Sequence, residues 1–363
     1  DLNDNKRSLS IDFTGGSVSK VIINGHSIPV EYSGYFITLS AESLVVGPNK
    51  VSVTYSHPYG QDGTGLHRFV DPEDGETYLY TYLWPYYANR LFPNFDQPNL
   101  KATYEMKVRA QSDWQVLSAV AEDSIIEEGS SKVWHFPKSK QFSTYIFSLH
   151  AGPYHVWEDK AGDIPVRLMA RKTLAEYVPV EEWMGYTKDG LTHFNNYFDI
   201  AYPFEKYDQI IVPDFNIGAM ENVAAVTFTE KVLQRGPSSR FQRQRRADII
   251  LHEMAHMWFG NLVTKDWWNG LWLNESFATL MAAIAVSRIP EFSDFWHDFY
   301  LDVNLNAISA DNQVSTHPIE VPVPSSDDFF AVFDAITYEK GASVLNQLSH
   351  FVGQENFRLG VSS

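Results

Sequence analysis

The chain has 363 residues, too many for one ordinary hydrophobic core, and predicts two domains. Its 44% hydrophobic content, with no apolar run long enough to cross a bilayer, excludes the disordered and membrane-embedded classes. A formal charge of −17 excludes nucleic acid as a partner, because phosphate binding needs a basic face, and the absence of cysteine excludes both a disulfide framework and thiolate ligands, leaving histidine and carboxylate for any metal.

The sequence starts at Asp1 without an initiator methionine or an apolar leader, from which processing or truncation upstream is expected. Residues 1–170 read as β. Asn24-Gly25, between the apolar stretches 20–23 and 27–30, is a hairpin signal. Ala102, Tyr104, Met106 and Val108 alternate with polar neighbours, which predicts a strand with one wet face. Residues 143–149 and 166–170 continue the strand pattern, and an antiparallel, saddle-like sheet domain fits them.

Beyond Lys172 the period lengthens. A long helix is predicted from Val180 to Phe198, then buried strands over 207–213 and 223–228, then mostly helices. A second domain, 171–363, of mainly helical type with a small sheet follows, so the fold class is α+β. The basic run 240–246 opens the next helix and reads as a solvated face, and 318–324 is a proline-rich loop. No internal repeat or low-complexity tract is present.

That helix carries His252, Glu253 and His256. Two imidazoles four residues apart share one helical face and can bind a single ion, while Glu253 leans toward the same face and can hold a water. The ordinary meaning of such a pair alone is two half-buried histidines on an amphipathic helix; Glu253 and the downstream Asn274-Glu275 shift the balance to metal. A catalytic zinc takes three protein ligands and keeps one position open, and Glu275, with eighteen residues between it and His256, is the candidate third ligand.

These residues, together with Gly218-Ala219-Met220-Glu221-Asn222 upstream, resemble the aminopeptidase N family of gluzincin zinc metallopeptidases. The resemblance runs from the Phe92-Pro93-Asn94-Phe95-Asp96 segment to Tyr338-Glu339-Lys340-Gly341 and implies a thermolysin-like catalytic domain with one Zn2+ ion. It implies His252, His256 and Glu275 as ligands, Glu253 as general base and Tyr338 as the donor to the developing oxyanion. Glu221 would hold the free amine of a peptide, Gly218, Ala219, Met220 and Asn222 would bind its backbone, and Ile217 would line the first side-chain pocket. Without the resemblance Tyr338 reads as one tyrosine among 19, and residues 218–222 as a turn before a strand.

The implied activity is hydrolysis of N-terminal peptide bonds. A zinc-dependent epoxide hydrolase of the leukotriene hydrolase type is the alternative, and a binding protein with a decayed site is disfavoured because every implied residue is present. The family also implies a further C-terminal portion packed on the catalytic domain, so this chain is expected to be its N-terminal and catalytic part. One departure stands out: where the family places Thr-Gln-x-Glu, this chain has Thr81-Tyr82-Leu83-Trp84, with no second acid for the amine.

Overall fold

The computed structural model describes residues 2–362. In the first part of the chain four antiparallel sheets form, three of which contain a hairpin of consecutive strands while their other pairings join strands distant in sequence. Strands Ser17–Ile23 and His26–Ile28 meet at Asn24 and Gly25, both at positive φ (50° and 87°), the left-handed pair that a two-residue hairpin turn needs. The second strand ends before Pro29, which has no N–H to extend the ladder.

Two expected strands are corrected. The alternating run 102–109 is extended, yet regular pairing begins only with Met106–Gln111, because the Tyr104 N–H donates to Ser139 Oγ at 3.0 Å instead of a ladder carbonyl. Residues 143–149 are not a strand: Thr144–Ile146 is a short 3-10 turn. The carbonyls of Ile146 and Phe147 accept from the Val223 N–H (3.1 Å) and Asn222 Nδ2 (3.1 Å), so this segment braces the Gly-Ala-Met-Glu-Asn loop rather than a sheet.

A five-stranded mixed sheet follows, in the order His155–Ala161, Ile164–Ala170, Tyr207–Val212, Ala225–Thr229, Ala219–Met220. Its strands Tyr207–Val212 and Ala225–Thr229 are buried at every residue, and the polar Asp208 and Gln209 among them are satisfied by Arg167, Lys206 and Trp183. Ile164–Ala170 pairs in parallel with Tyr207–Val212, so the expected division at 170 runs between two hydrogen-bonded strands of one sheet.

Three helices pack beside this sheet or on one another: α1 (Val180–Phe198), α2 (Arg240–Ala255) and α3 (Leu271–Val286). Helix α1 buries Trp183, Leu191, Phe194 and Phe198 from one stripe, each worth about 1.5–3 kcal/mol when fully removed from water. It crosses α2 at Gly190, where a Cβ would lie 2.4 Å from Leu251 Cδ2. Short helices, two π-type turns and the helices Gly341–Val352 and Gln354–Val361 complete the second part.

The basic run at the start of α2 is only partly a wet face. Arg246 is 2% exposed and bonded to Glu182 and Ser238, and Arg243 pairs with Glu291. Among the described residues no helix is long and apolar enough to cross a membrane.

Candidate active site

Helix α2 is started by a capping box: Ser239 Oγ accepts from the Gln242 N–H while Gln242 Oε1 accepts from the Ser239 N–H at 2.8 Å. This start fixes which face of α2 looks into a cavity of about 490 Å³, and residues 241, 245, 249, 252 and 256, three or four apart, all line it.

The helix ends at Ala255, with His256 as its C-cap. The chain then turns back through Gly260 at φ 125°, where a Cβ would crowd Asn274 Nδ2 at 3.0 Å. Only glycine suits that corner, and the corner brings α3, with Glu275 in its second turn, against the end of α2.

The three expected ligands converge. His252 Nε2 and His256 Nε2 are 3.1 Å apart, and Glu275 Oε2 lies 3.4 Å from each. Four ligands about 2.05 Å from a tetrahedral zinc stand roughly 3.3 Å apart, so the donor set and its spacing fit that ion. The His256 Nδ1–H donates to the Phe259 carbonyl (3.0 Å), which fixes the tautomer and turns the Nε2 lone pair toward Glu275. Lone pairs gathered this closely repel one another unless a cation stands between them.

The surrounding charge makes the same demand. Glu221, Glu253 and Glu275 are all buried, and ligand atoms of Glu221, Glu253 and His256 also lie within 4.8 Å of one another. Burial disfavours a charged His256, yet Glu275, Glu221 and Glu253 outweigh it and push the imidazole up to about 10. Burial, with Glu221 and Glu275 adding to it, drives the Glu253 carboxyl well above the carboxylate range. Glu253 Oε2 and Glu221 Oε1 have no hydrogen-bond partner among the described residues, so each is free for something that enters the cavity.

Tyr338 stands on a π-type turn, Ile336–Lys340, with its ring parallel to His252 at a centroid distance of 6.2 Å. Ser276, the neighbour of Glu275, donates to the Thr337 carbonyl at 2.6 Å, and a Cβ on Gly341 would lie 1.8 Å from Ser276 Oγ. Burial and the nearby Glu275 and Glu221 push the Tyr338 phenol far up, so it stays a donor.

Ile217, Gly218, Ala219, Met220 and Glu221 line the cavity beside Trp84 and Phe333. Asn222 does not, which corrects its expected place in the binding surface: its amide donates to Phe147 and its Oδ1 accepts from Thr227 Oγ1 at 2.8 Å, so it anchors the loop from behind. Of the aromatics in the departing segment, Trp84 reaches the cavity, whereas Tyr82 packs behind it on Phe215.

Sequence reasoning missed three supports. Asn261 Nδ2 holds the Glu221 carbonyl at 2.8 Å. Lys265, 5% exposed, places Nζ 3.1 Å from Tyr145 Oη and over the Tyr145 and Trp268 rings, and Asn274 donates to the same hydroxyl. Burial pushes this lysine down to about 8, with Glu221 and Glu275 pulling the other way. No local signal marks these supports: Asn261-Leu262-Val263-Thr264-Lys265 is an ordinary mixed run, and each of these contacts is made to a residue distant in sequence.

Residues 183–363 match the family model described as the peptidase family M1 domain, and residues 8–146 the one described as the peptidase M1 N-terminal domain. The chain is 40% identical over 359 residues to a Streptomyces lividans protein named aminopeptidase N, covering 97% of this chain and 41% of the relative. It is 31% identical over 356 residues to a probable aminopeptidase 2 of Sulfurisphaera tokodaii (97% and 44%) and 38% identical over 277 residues to a leucyl aminopeptidase of Saccharolobus solfataricus (76% and 35%). The chain thus spans less than half the length of these relatives.

Proposed function

The chain belongs to the peptidase M1 family, and from that premise we propose that it is a zinc-dependent aminopeptidase removing the N-terminal residue of peptides. The observation that carries the reading is the convergence of His252, His256 and Glu275 within 3.4 Å beside two buried carboxylates with free oxygens. His252, His256 and Glu275 would hold the ion. When bound, zinc supplies Lewis acidity toward a carbonyl oxygen and makes a water acidic near neutral pH.

The chain's own residues do the rest. Glu253, whose raised affinity for a proton suits a base, takes the proton of the attacking water and passes it to the leaving nitrogen. Tyr338, held protonated, donates to the oxygen on which charge develops. Glu221 pairs with the substrate ammonium in a buried, poorly screened place, and so fixes cleavage one residue from the amino end. The edge strand Ala219–Met220, bonded on one side to Ala225–Thr229, offers its other side to an extended peptide.

The test is turnover of a panel of aminoacyl anilides before and after chelation. Activity should vanish with the chelator and return with zinc. Glu253→Gln should keep the metal and lose about 10³-fold in kcat. Full activity in a metal-free preparation, shown by elemental analysis, would end the proposal.

A further inference from the structure

The cavity is lined by charges of both signs. Glu221, Glu253 and Glu275 make the end beside the histidines acidic, whereas Lys231, Arg245, Gln234 and Gln242 also line the cavity, with Asp248 the acid beside Arg245. In a chain of net charge −17, cations lining such a cavity need a reason. The other arginines of the run do not supply one, since Arg240 and Arg243 are engaged by Asp294 and Glu291 and Arg246 by Glu182.

Arg245 is different. Its side chain is 62% exposed and its one ion pair among the described residues, with Asp248, is a loose 3.7 Å, an exposed pair worth little that a better-placed carboxylate can displace; Glu339 is a second, more distant acid nearby. Lys231 is exposed and makes no ion pair among the described residues.

The spacing is set by the elements. Arg245 precedes His252 by seven residues, two turns on the same face, about 10 Å along α2. On the opposite wall the Thr229 N–H bonds the Gly218 carbonyl, three residues or about 10 Å along the extended chain from Glu221, and the 3-10 turn Glu230–Val232 that carries Lys231 begins just beyond it. An extended peptide advances about 3.3 Å per residue, so one whose ammonium meets Glu221 brings its own carboxylate to these cations after three or four residues.

We propose that Arg245 and Lys231 bind the C-terminal carboxylate of the substrate, so that the enzyme is selective for tripeptides and tetrapeptides with both ends free. This rests on the aminopeptidase reading and adds its substrate class. A guanidinium meets a carboxylate through two parallel N–H bonds, and the lysine adds a point charge; neither recognises a carboxamide in this way.

The test uses isothermal titration of the Glu253→Gln protein, which holds peptide without turning it over, with leucyl-glycyl-glycine, its C-terminal amide and its N-acetyl derivative. The free peptide should bind about 10-fold more tightly than the amide, and Arg245→Gln with Lys231→Gln should bring acid and amide within about twofold. If acid and amide bind alike while N-acetylation abolishes binding, the carboxylate site is overturned and the aminopeptidase reading stands. If N-acetylation has no effect, or no peptide binds, both fall. Initial rates of the unmodified protein on acid and amide give the same comparison without any variant: kcat/KM should favour the acid, and the preference should shrink in about 0.5 M salt, while equal values at low salt overturn the site.

Discussion

Glu221 and His150 show how differently two buried titratable side chains can serve one molecule. Glu221 keeps one oxygen without a partner beside the cavity, so Glu221→Ala removes a charge-assisted contact to the substrate amine. The variant should lose about 10²-fold or more in kcat/KM on free peptides and lose its discrimination against N-acetylated ones, read from rates on matched pairs. His150 is fully buried against Thr227 Oγ1 at 2.9 Å, and burial, helped by Lys206, pushes its imidazole down to about 3. Between the ordinary histidine value near 6.5 and that value, the unfolded chain binds a proton that the native chain refuses, so stability falls as the pH falls through this window. Asp96, raised by burial to about 6, works in the opposite sense over part of it, so the readout is the difference between variants. Unfolding in urea should show His150→Gln gaining about 2 kcal/mol on the parent between pH 6.5 and 5, and parallel curves would contradict the assignment.

At the scale of elements, α3 and the Tyr338 turn touch where Gly341 meets Ser276. Gly341→Ala should destabilise by about 1–3 kcal/mol, because the added methyl has no room beside Ser276 Oγ, and it should lower kcat by displacing Tyr338. Adding Ser276→Gly should recover much of the stability but not the bond to Thr337, and a double variant no better than the single one would show that the clash lies elsewhere. Legibility followed the same divide. The helix 180–198 was readable because its apolar stripe is continuous; His252, Glu253, His256 and Glu275 were singled out by their spacing and residues 217–221 only by resemblance to a family motif, and all of them line one cavity. The segment 143–149 was misread as a strand because its Ile146 and Phe147 carbonyls accept from the Val223 N–H and the Asn222 amide some 75 residues away, and no local pattern records that; Asn222 Oδ1 is held in turn by Thr227. The Phe259 carbonyl behind His256 was invisible for a simpler reason: any residue type supplies a backbone acceptor.

At the scale of the whole molecule, the acidic composition and the cations lining the cavity belong together: the net charge repels anionic solutes in general while Arg245 and Lys231 admit a carboxylate at one place. The mixed sheet has a practical outcome for anyone dividing the protein into recombinant pieces. The hairpin 155–170 lends its inner strand to Tyr207–Val212, so a fragment starting at residue 171 would bare one rim of a strand that is buried throughout. That raw rim is a template for self-association, and such a fragment should precipitate or elute in the void volume of a sizing column, whereas one starting near residue 154 should keep its rim covered and stay dispersed.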